Sequence, residues 1–329
     1  MRDHAPDAAA ARRRIVDALL AVFESRGFAR VITPVFEYEE VLALGLGDAA
    51  RAATVRFVEP SSGEVVALRP DITPQIARLI ATRYRDERGP VRLCYEGTVV
   101  RLDRGARAQR ELLQAGVELA GVAGPQGDAD AIALAVESLA AVGLPRPTVD
   151  LGHLGLAREV LSALGLPDDA LAAARRCIRK RDASGLSLLL ASARGSKQSI
   201  AFARLLPDLA GGLGVLDDAR ARAPSGGIKR ALAELADIVA AVGRRGLDAR
   251  LHVDLGEMRG FDYYTGVRFQ AFVPGAPDAV LGGGRYDALL GRYGRPSPAV
   301  GFAVDVDAVA GALEHQHDKA NLKPKAKGE

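Results

Sequence analysis

The stretch Leu113-Gln-Ala-Gly-Val-Glu-Leu119 carries residue types that could hold a small polar molecule. A strand's period of two puts Gln114, Gly116 and Glu118 on one face and Leu113, Ala115, Val117 and Leu119 on the other. The apolar face is core. The opposite face offers an amide, a glycine that opens space, and a carboxylate, which together could floor a ligand site. A half-exposed strand with no ligand carries the same residues, so the pattern alone leaves both readings open. In Leu68-Arg-Pro-Asp-Ile-Thr-Pro-Gln75, Thr73 reads as a helix N-cap with Pro74 at the first helical position, where a missing N–H costs little. The glycine run Leu281-Gly-Gly-Gly-Arg-Tyr-Asp287 lacks the Gly-Lys-Ser/Thr ending of a phosphate loop and reads as a turn that lets backbones approach a pocket.

Other chemistries find no pattern. Cys94 and Cys177 lie far apart and form no C-x-x-C pair, so a disulfide framework or a zinc site has no sequence support and a reduced cytoplasmic compartment is expected. The five histidines, His4, His153, His252, His315 and His317, show no H-E-x-x-H arrangement, so no metal is expected. At 329 residues and 48% hydrophobic content the chain buries a full core. The net charge of +3 is spread over interleaved acids and bases, giving no nucleic-acid surface. The N-terminus has charge but no apolar stretch for a signal peptide, and no later run reaches the roughly 18 apolar residues of a membrane span. The protein is expected to be soluble.

Elements that would position these residues follow from periodicity. Residues 7–26 place Ile15, Leu19, Val22 and Phe23 at helical spacing, with Gly27 as the stop. A strand is expected over 28–37, ending at Pro34, and a helix from the segment 68–75. Residues 91–101 and 109–120 read as an antiparallel hairpin around a polar loop containing Gly105. Residues 128–142 read as a helix closed by Gly143-Leu-Pro-Arg-Pro147. From 155 to 246 the composition shifts to Ala, Leu and Arg, with helical periodicity in Ile228, Leu232, Leu235, Ile238, Val239 and Val242. Strand patterns return at 249–255 and 261–273, followed by the glycine turn, a short helix, an apolar strand over 299–304 and a closing helix. This order predicts an α+β fold with an antiparallel sheet flanked by helices. The expected units are a core over 1–154, an inserted helical subdomain over 155–246, the rest of the core over 247–317, and a polar tail over 318–329, disordered from Lys319 onward.

Arg259-Gly-Phe-Asp-Tyr-Tyr-Thr-Gly266, the glycine run and Pro298-Ala-Val-Gly-Phe-Ala-Val-Asp-Val-Asp-Ala-Val309 together resemble the catalytic domain of class II aminoacyl-tRNA synthetases of the histidyl type. Gly27-Phe28 through Thr33-Pro34 and Glu37 is similar to the family's motif 1, which implies a self-dimer. Cys94-Tyr-Glu-Gly-Thr-Val-Val-Arg101 with Arg110-Glu-Leu-Leu-Gln-Ala-Gly-Val-Glu118 is similar to motif 2. By this resemblance Asp71 and Thr73, with Ile72 between them, hold an amino acid's α-ammonium group, and Gln114 contacts the ligand backbone. Glu118 accepts from an imidazole N–H, Tyr264 meets the other ring nitrogen, and Tyr263 lines the site. Neutral imidazole has one donor and one acceptor, and a phenol can do either, so this pairing reads the ring well. Arg259 and Arg101 match arginines that hold the carboxylate or the α-phosphate; a structural ion pair is the alternative for each. Free L-histidine is the implied ligand.

Departures from the family gather at ATP. Asp103 replaces the motif 2 glutamate, the loop after it is shorter, Asp305 replaces a glycine, and Asp307-Ala308 replaces Glu-Arg. An added carboxylate and a deleted cation both disfavour a polyphosphate, and a lost transition-state contact can cost about 3 kcal/mol. The chain ends at Glu329, which leaves no room for an anticodon-binding domain. The closest resemblance is to regulatory subunits of ATP phosphoribosyltransferase. That resemblance implies a chain that catalyses nothing itself, uses no cofactor, and joins a short-form catalytic subunit in the first step of histidine biosynthesis. It would activate that partner and take part in feedback inhibition by histidine. A histidine-activating enzyme, or an amino-acid-binding scaffold with a different partner, are the alternatives.

Overall fold

A computed structural model describes residues 3–102, 110–224, 226–258 and 263–322. The apolar stripe of the first helix forms α1 (Pro6–Ser25), which buries Ile15, Val16, Leu19, Leu20 and Phe23. The strand expected over 28–37 is split: β1 (Ala29–Arg30) ends early, and pairing resumes after Pro34 in β2 (Phe36–Tyr38). A proline cannot donate to a ladder, so the interruption falls around it. Next come α2 (Glu39–Gly45), α3 (Asp48–Ala52), β3 (Arg56–Val58), β4 (Val65–Leu68) and α4 (Thr73–Arg83). The expected hairpin is β5 (Val91–Val100) and β6 (Glu111–Ala120), antiparallel from Val91↔Ala120 to Val100↔Glu111. Gly105 and Asp103 lie outside the described residues. Then follow α5 (Gly124–Ala141) and β7 (Thr148–His153), a strand the periodicity did not announce.

The stretch from β7 to the next long strand is helical: α6 (Leu154–Ser162), α7 (Asp168–Arg179), α8 (Ala183–Leu190), α9 (Lys197–Leu205), α10 (Gly214–Arg222) and α11 (Gly227–Gly243). A 3-10 turn at Leu206–Asp208 and the two-residue β8 (Ala210–Gly211) interrupt them. The chain closes with β9 (Arg250–Asp254), β10 (Val267–Phe272), β11 (Leu281–Arg285), α12 (Leu289–Arg292), β12 (Ala299–Asp305) and α13 (Val306–Leu322). No helix of the described residues is long and apolar enough to cross a membrane.

Nine strands form one sheet in the order β1-β5-β6-β12-β11-β10-β7-β9-β8, and β2-β4-β3 form a second, small one. The large sheet is antiparallel through its centre, while β1–β5 and β7–β9 run parallel. A parallel neighbour needs a long crossover, and the helices between β7 and β9 supply it. One apolar cluster extends from α1 and α5 across the sheet into the helices after β7. A second, under α4, holds Ile72, Ile76, Ile80, Leu93, Tyr95 and the tyrosines of the site.

Two local expectations are corrected. Leu281–Arg285 is a strand inside the sheet rather than a turn: a Cβ on Gly283 would meet the Gly301 carbonyl and the Phe302 and Phe269 side chains, so only glycine fits its ladder. The polar end expected to be disordered from Lys319 is helical as far as Leu322, because α13 runs on to that point. Residues 323–329 lie outside the described residues.

Candidate functional site

A cavity of about 210 Å³ opens on the sheet face, lined by Asp71, Thr73, Arg101, Gln114, Glu118, Tyr263, Tyr264, Arg268, Gln270, Tyr286 and Asp305 among others. It is smaller than the roughly 300–1,000 Å³ of drug-sized sites and suits a small metabolite. Several segments, distant in sequence, bring these groups together. Register sets the first: β6 carries Gln114 opposite Asp305 of β12 and Glu118 opposite Gly301. The segment entering α4 supplies Asp71 and Thr73. Buried Arg69 pins that segment, donating to the Thr98 carbonyl at 2.8 Å, the Thr33 carbonyl at 2.9 Å and the Thr33 hydroxyl at 2.7 Å.

Glu118 sits at the centre and is 2% exposed. Its Oε1 accepts from Thr73 Oγ1 at 2.6 Å and from Tyr95 OH at 3.4 Å, and its Oε2 accepts from Tyr286 OH. Burial pushes this carboxyl up to about 8, with the neighbouring Asp71 adding to the rise and the hydroxyl donors opposing it. Asp71, 3% exposed, accepts from Tyr263 OH at 2.7 Å. Its carboxyl is also raised, by burial first, with Arg101 and the Tyr263 hydrogen bond opposing. Burial likewise raises the phenols of Tyr95, Tyr263, Tyr264 and Tyr286, so they stay protonated donors. The buried Oε1 of Gln114 has no hydrogen-bond partner among the described residues. Two carboxyls and an unmatched amide oxygen therefore face a small space, and a ligand rich in N–H donors would satisfy them.

Cations stand at the rim. Arg101 donates from Nε to the Pro70 carbonyl at 2.7 Å. Arg268 pairs with Glu257 at 3.1 Å and donates to Gln270 at 2.9 Å. The segment that departs from the synthetase pattern is turned to structural work. Asp305 accepts from the Ala308 N–H at 3.0 Å at the start of α13. Asp307 pairs with Arg12 of α1 at 3.2 Å, and Ala308 packs against the main core. None of these residues presents a cation to the cavity.

Asp71, Thr73, Arg101, Gln114, Glu118, Tyr263 and Tyr264 thus converge on one cavity. Ile72 does not: its side chain is fully buried in the core under α4, and its backbone N–H bonds Asp71. Arg259 lies outside the described residues. Thr73 is not an N-cap, since Ile72 holds that position and the Thr73 hydroxyl is committed to Glu118. The space left by Gly116 is not free for a ligand either: a Cβ there would stand 2.7 Å from Tyr95 OH, so the glycine admits that ring to reach Glu118. Tyr95, Tyr286, Arg268 and Gln270 were missed. Gln270 and Arg268 alternate on β10 with buried Val267, Phe269 and Ala271, a period-two signal that could have found them.

Comparison with known proteins agrees with this architecture. The family model described as histidyl-tRNA synthetase matches residues 1–309. A protein of Anaeromyxobacter dehalogenans named ATP phosphoribosyltransferase regulatory subunit is 46% identical over 320 residues, covering 95% of this chain and 90% of the relative. One of the same name from Geobacter sulfurreducens is 41% identical over 298 residues, 90% of this chain and 68% of the relative. A solved structure described as an ATP phosphoribosyltransferase regulatory subunit/histidyl-tRNA synthetase from Bacillus halodurans superposes with a TM-score of 0.86 at 28% identity, covering 98% of this chain and 87% of that one. A histidyl-tRNA synthetase from Nostoc gives 0.71 at 22% identity over 94% of this chain and 72% of that one, a likeness of fold. Identity at this level, sustained over most of both sequences, leads to one conclusion: the chain belongs to the family of ATP phosphoribosyltransferase regulatory subunits, built on the class II fold of histidyl-tRNA synthetase.

Proposed function

We propose that this chain binds L-histidine in the Glu118 cavity and, as a non-catalytic subunit, activates a short-form ATP phosphoribosyltransferase catalytic subunit and relays inhibition by histidine. The carrying observation is the pairing of two buried carboxyls, Asp71 and Glu118, with tyrosine hydroxyls in a cavity of about 210 Å³. An α-ammonium placed at Asp71 and Gln114 would offset burial of the carboxylate, and an imidazole N–H at Glu118 would do the same there. Tyr264 would support the far side of the ring, and Arg101 would hold the ligand's carboxylate. The commitment of Asp305 and Asp307 to α13 and α1, and the small side chain of Ala308, argue against adenylation by this chain.

The proposed assembly includes a self-dimer. Val35, Phe36, Tyr38, Phe57, Val58 and Val65 of the small sheet and its approach are all exposed, with Phe36 and Phe57 rings 6.0 Å apart, a grouping of apolar surface typical of interaction sites. Histidine must bind the inhibited assembly more tightly than the active one to shift it, by about 1–3 kcal/mol in typical coupled systems. The test is phosphoribosyl-ATP formation by the catalytic subunit from the same organism, alone and with this chain, with and without L-histidine. Activity that rises in the mixture and falls with histidine is expected. A mixture that behaves as the catalytic subunit alone overturns the proposal, and histidine-dependent pyrophosphate exchange by this chain would mark it as an activating enzyme instead.

A further inference from the structure

The helices between β7 and β9 grip the chain at residues 254–257 and at residues 264–266, before and after Tyr263. On its exit side, Arg158 of α6 donates from Nη1 to the Tyr264 carbonyl and from Nη2 to the Thr265 carbonyl, both at 2.8 Å. Beside it, the Leu154 N–H donates to the Gly266 carbonyl at 3.0 Å. Gly155 allows the close approach, since a Cβ there would stand 3.0 Å from the Thr265 carbonyl and 2.9 Å from the His153 ring. On the entry side, Arg181, just past α7, donates to the Pro207 carbonyl at 2.8 Å and to Asp254 at 2.7 Å. There the Leu255 N–H donates to the Leu209 carbonyl at 3.0 Å, and β8 pairs with β9. A second glycine, Gly256, makes room: a Cβ would stand 2.9 Å from the Leu206 carbonyl. From this side Glu257, 5% exposed, reaches Arg268 on the cavity wall at 3.1 Å.

The same device therefore appears twice: an arginine fork, a backbone hydrogen bond and a glycine at the contact. A guanidinium on two successive carbonyls fixes the orientation of the peptide between them. That peptide follows Tyr264, whose ring lies over Gly284 and forms part of the cavity. Both arginines have exposed side chains or heads, so their contribution to overall stability is small and their effect is on position. Site geometry held to fractions of an ångström by such supports governs affinity.

We infer that these helices set the position of Tyr263 and Tyr264, with Arg158 and Arg181 as positioning residues, and that occupation of the cavity is felt in α6 and α7. The inference rests on the reading of the cavity as an L-histidine site. Linkage is reciprocal: if the helices tune ligand affinity, the ligand must tune the helices.

Hydrogen exchange and calorimetry on the full chain with L-histidine test it. Histidine is expected to slow amide exchange in α6 and around Arg181 as well as along β6. Arg158→Ala should fold, bind histidine about tenfold more weakly, within the roughly 5–150-fold typical of coupled sites, and lose the protection of α6. Arg181→Ala should act in the same direction, whereas Arg204→Ala, exposed on α9, should change neither readout. Wild-type protein that binds histidine with no change in α6 and α7 overturns the coupling alone, without requiring any variant to fold. So does unaltered affinity in Arg158→Ala. Wild-type protein that binds no histidine overturns the reading of the cavity and the coupling together.

Discussion

Replacing Glu118 by glutamine tests the electrostatics of the cavity directly. The buried carboxyl lies at about 8 in the folded chain against 4.5 when solvated, so the folded state keeps a proton that the unfolded state has lost. The stability this gives is fully present below pH 4.5 and declines as pH rises toward 8. Integrated between pH 5 and 7.5, those two values correspond to a loss of about 3 kcal/mol. At roughly 2 °C per kcal/mol for a chain of this size, the melting temperature should fall by about 6 °C from this group alone. Asp71, Asp128, Asp254 and Asp305 are raised by burial as well and add to the fall; Asp128, Asp254 and Asp305 do so in wild type and variant alike, while Asp71 is coupled to Glu118. The difference between the two profiles therefore reports Glu118 together with its coupling to Asp71. The glutamine keeps the shape, accepts from Thr73 and Tyr95 through its oxygen, and can donate to Tyr286 through its nitrogen. Thermal melts of both proteins from pH 5 to 7.5 should show the variant gaining on the wild type as pH rises. Profiles that run parallel would refute the account of Glu118 as a buried, proton-holding carboxyl.

Other changes have equally defined outcomes. Gly301→Ala drives a Cβ into Glu118 Oε2 and the Val117 carbonyl; a cost of about 1–3 kcal/mol in chemical denaturation and loss of the calorimetric histidine signal are expected. Arg285, 2% exposed, holds Asp128 at 2.7 Å and the Val122 and Gly124 carbonyls at 3.2 Å, so Arg285→Ala should cost about 3–5 kcal/mol by urea titration, leaving Asp128 buried and unpaired by it. Tyr286→Phe removes a donor that lowers the Glu118 value, so the fall of melting temperature with pH should continue above pH 8, where the wild-type contribution of this group levels off. Phe57→Ser with Val58→Ser should lower the sedimentation mass toward that of one chain while leaving melting within about 2 °C, since both side chains are exposed.

Periodicity was enough to place α1, the β5–β6 hairpin, α5 and the β12–α13 pair, because each is long enough to repeat its pattern or is bounded by glycine and proline. The alternation around Gln114 and Glu118 put both on one face, and both line the cavity. Short elements were harder. β7 has six residues, and its neighbours β10 and β9 are remote in sequence. The glycines of β11 look like a turn until one knows that Phe302, Phe269 and the Tyr264 ring crowd them from other strands. Thr73 has the chemistry of a cap and is placed where a cap could be, yet a carboxyl 45 positions along the chain claims its hydroxyl. Tyr95 and Tyr286 were illegible for the same reason: their roles are defined by Glu118, which lies opposite neither in the ladder.

The order of strands has a bearing on synthesis. A chain emerging from the ribosome up to β9 can assemble β1-β5-β6 on one side and β7-β9-β8 on the other, but no strand yet joins the two. The three strands that bridge them, β10, β11 and β12, are translated last, and β12 must slot against the open edge of β6. Until residue 305 has left the exit tunnel, that edge offers unpaired backbone groups to any passing strand, the condition under which nascent sheets aggregate. The pocket is subject to the same delay, because Glu118 waits on β6 for Tyr264, Arg268 and Tyr286 to arrive. A chain stalled or truncated before β12 would expose apolar β6 and have no ligand site, so supply of histidine during translation could not rescue it.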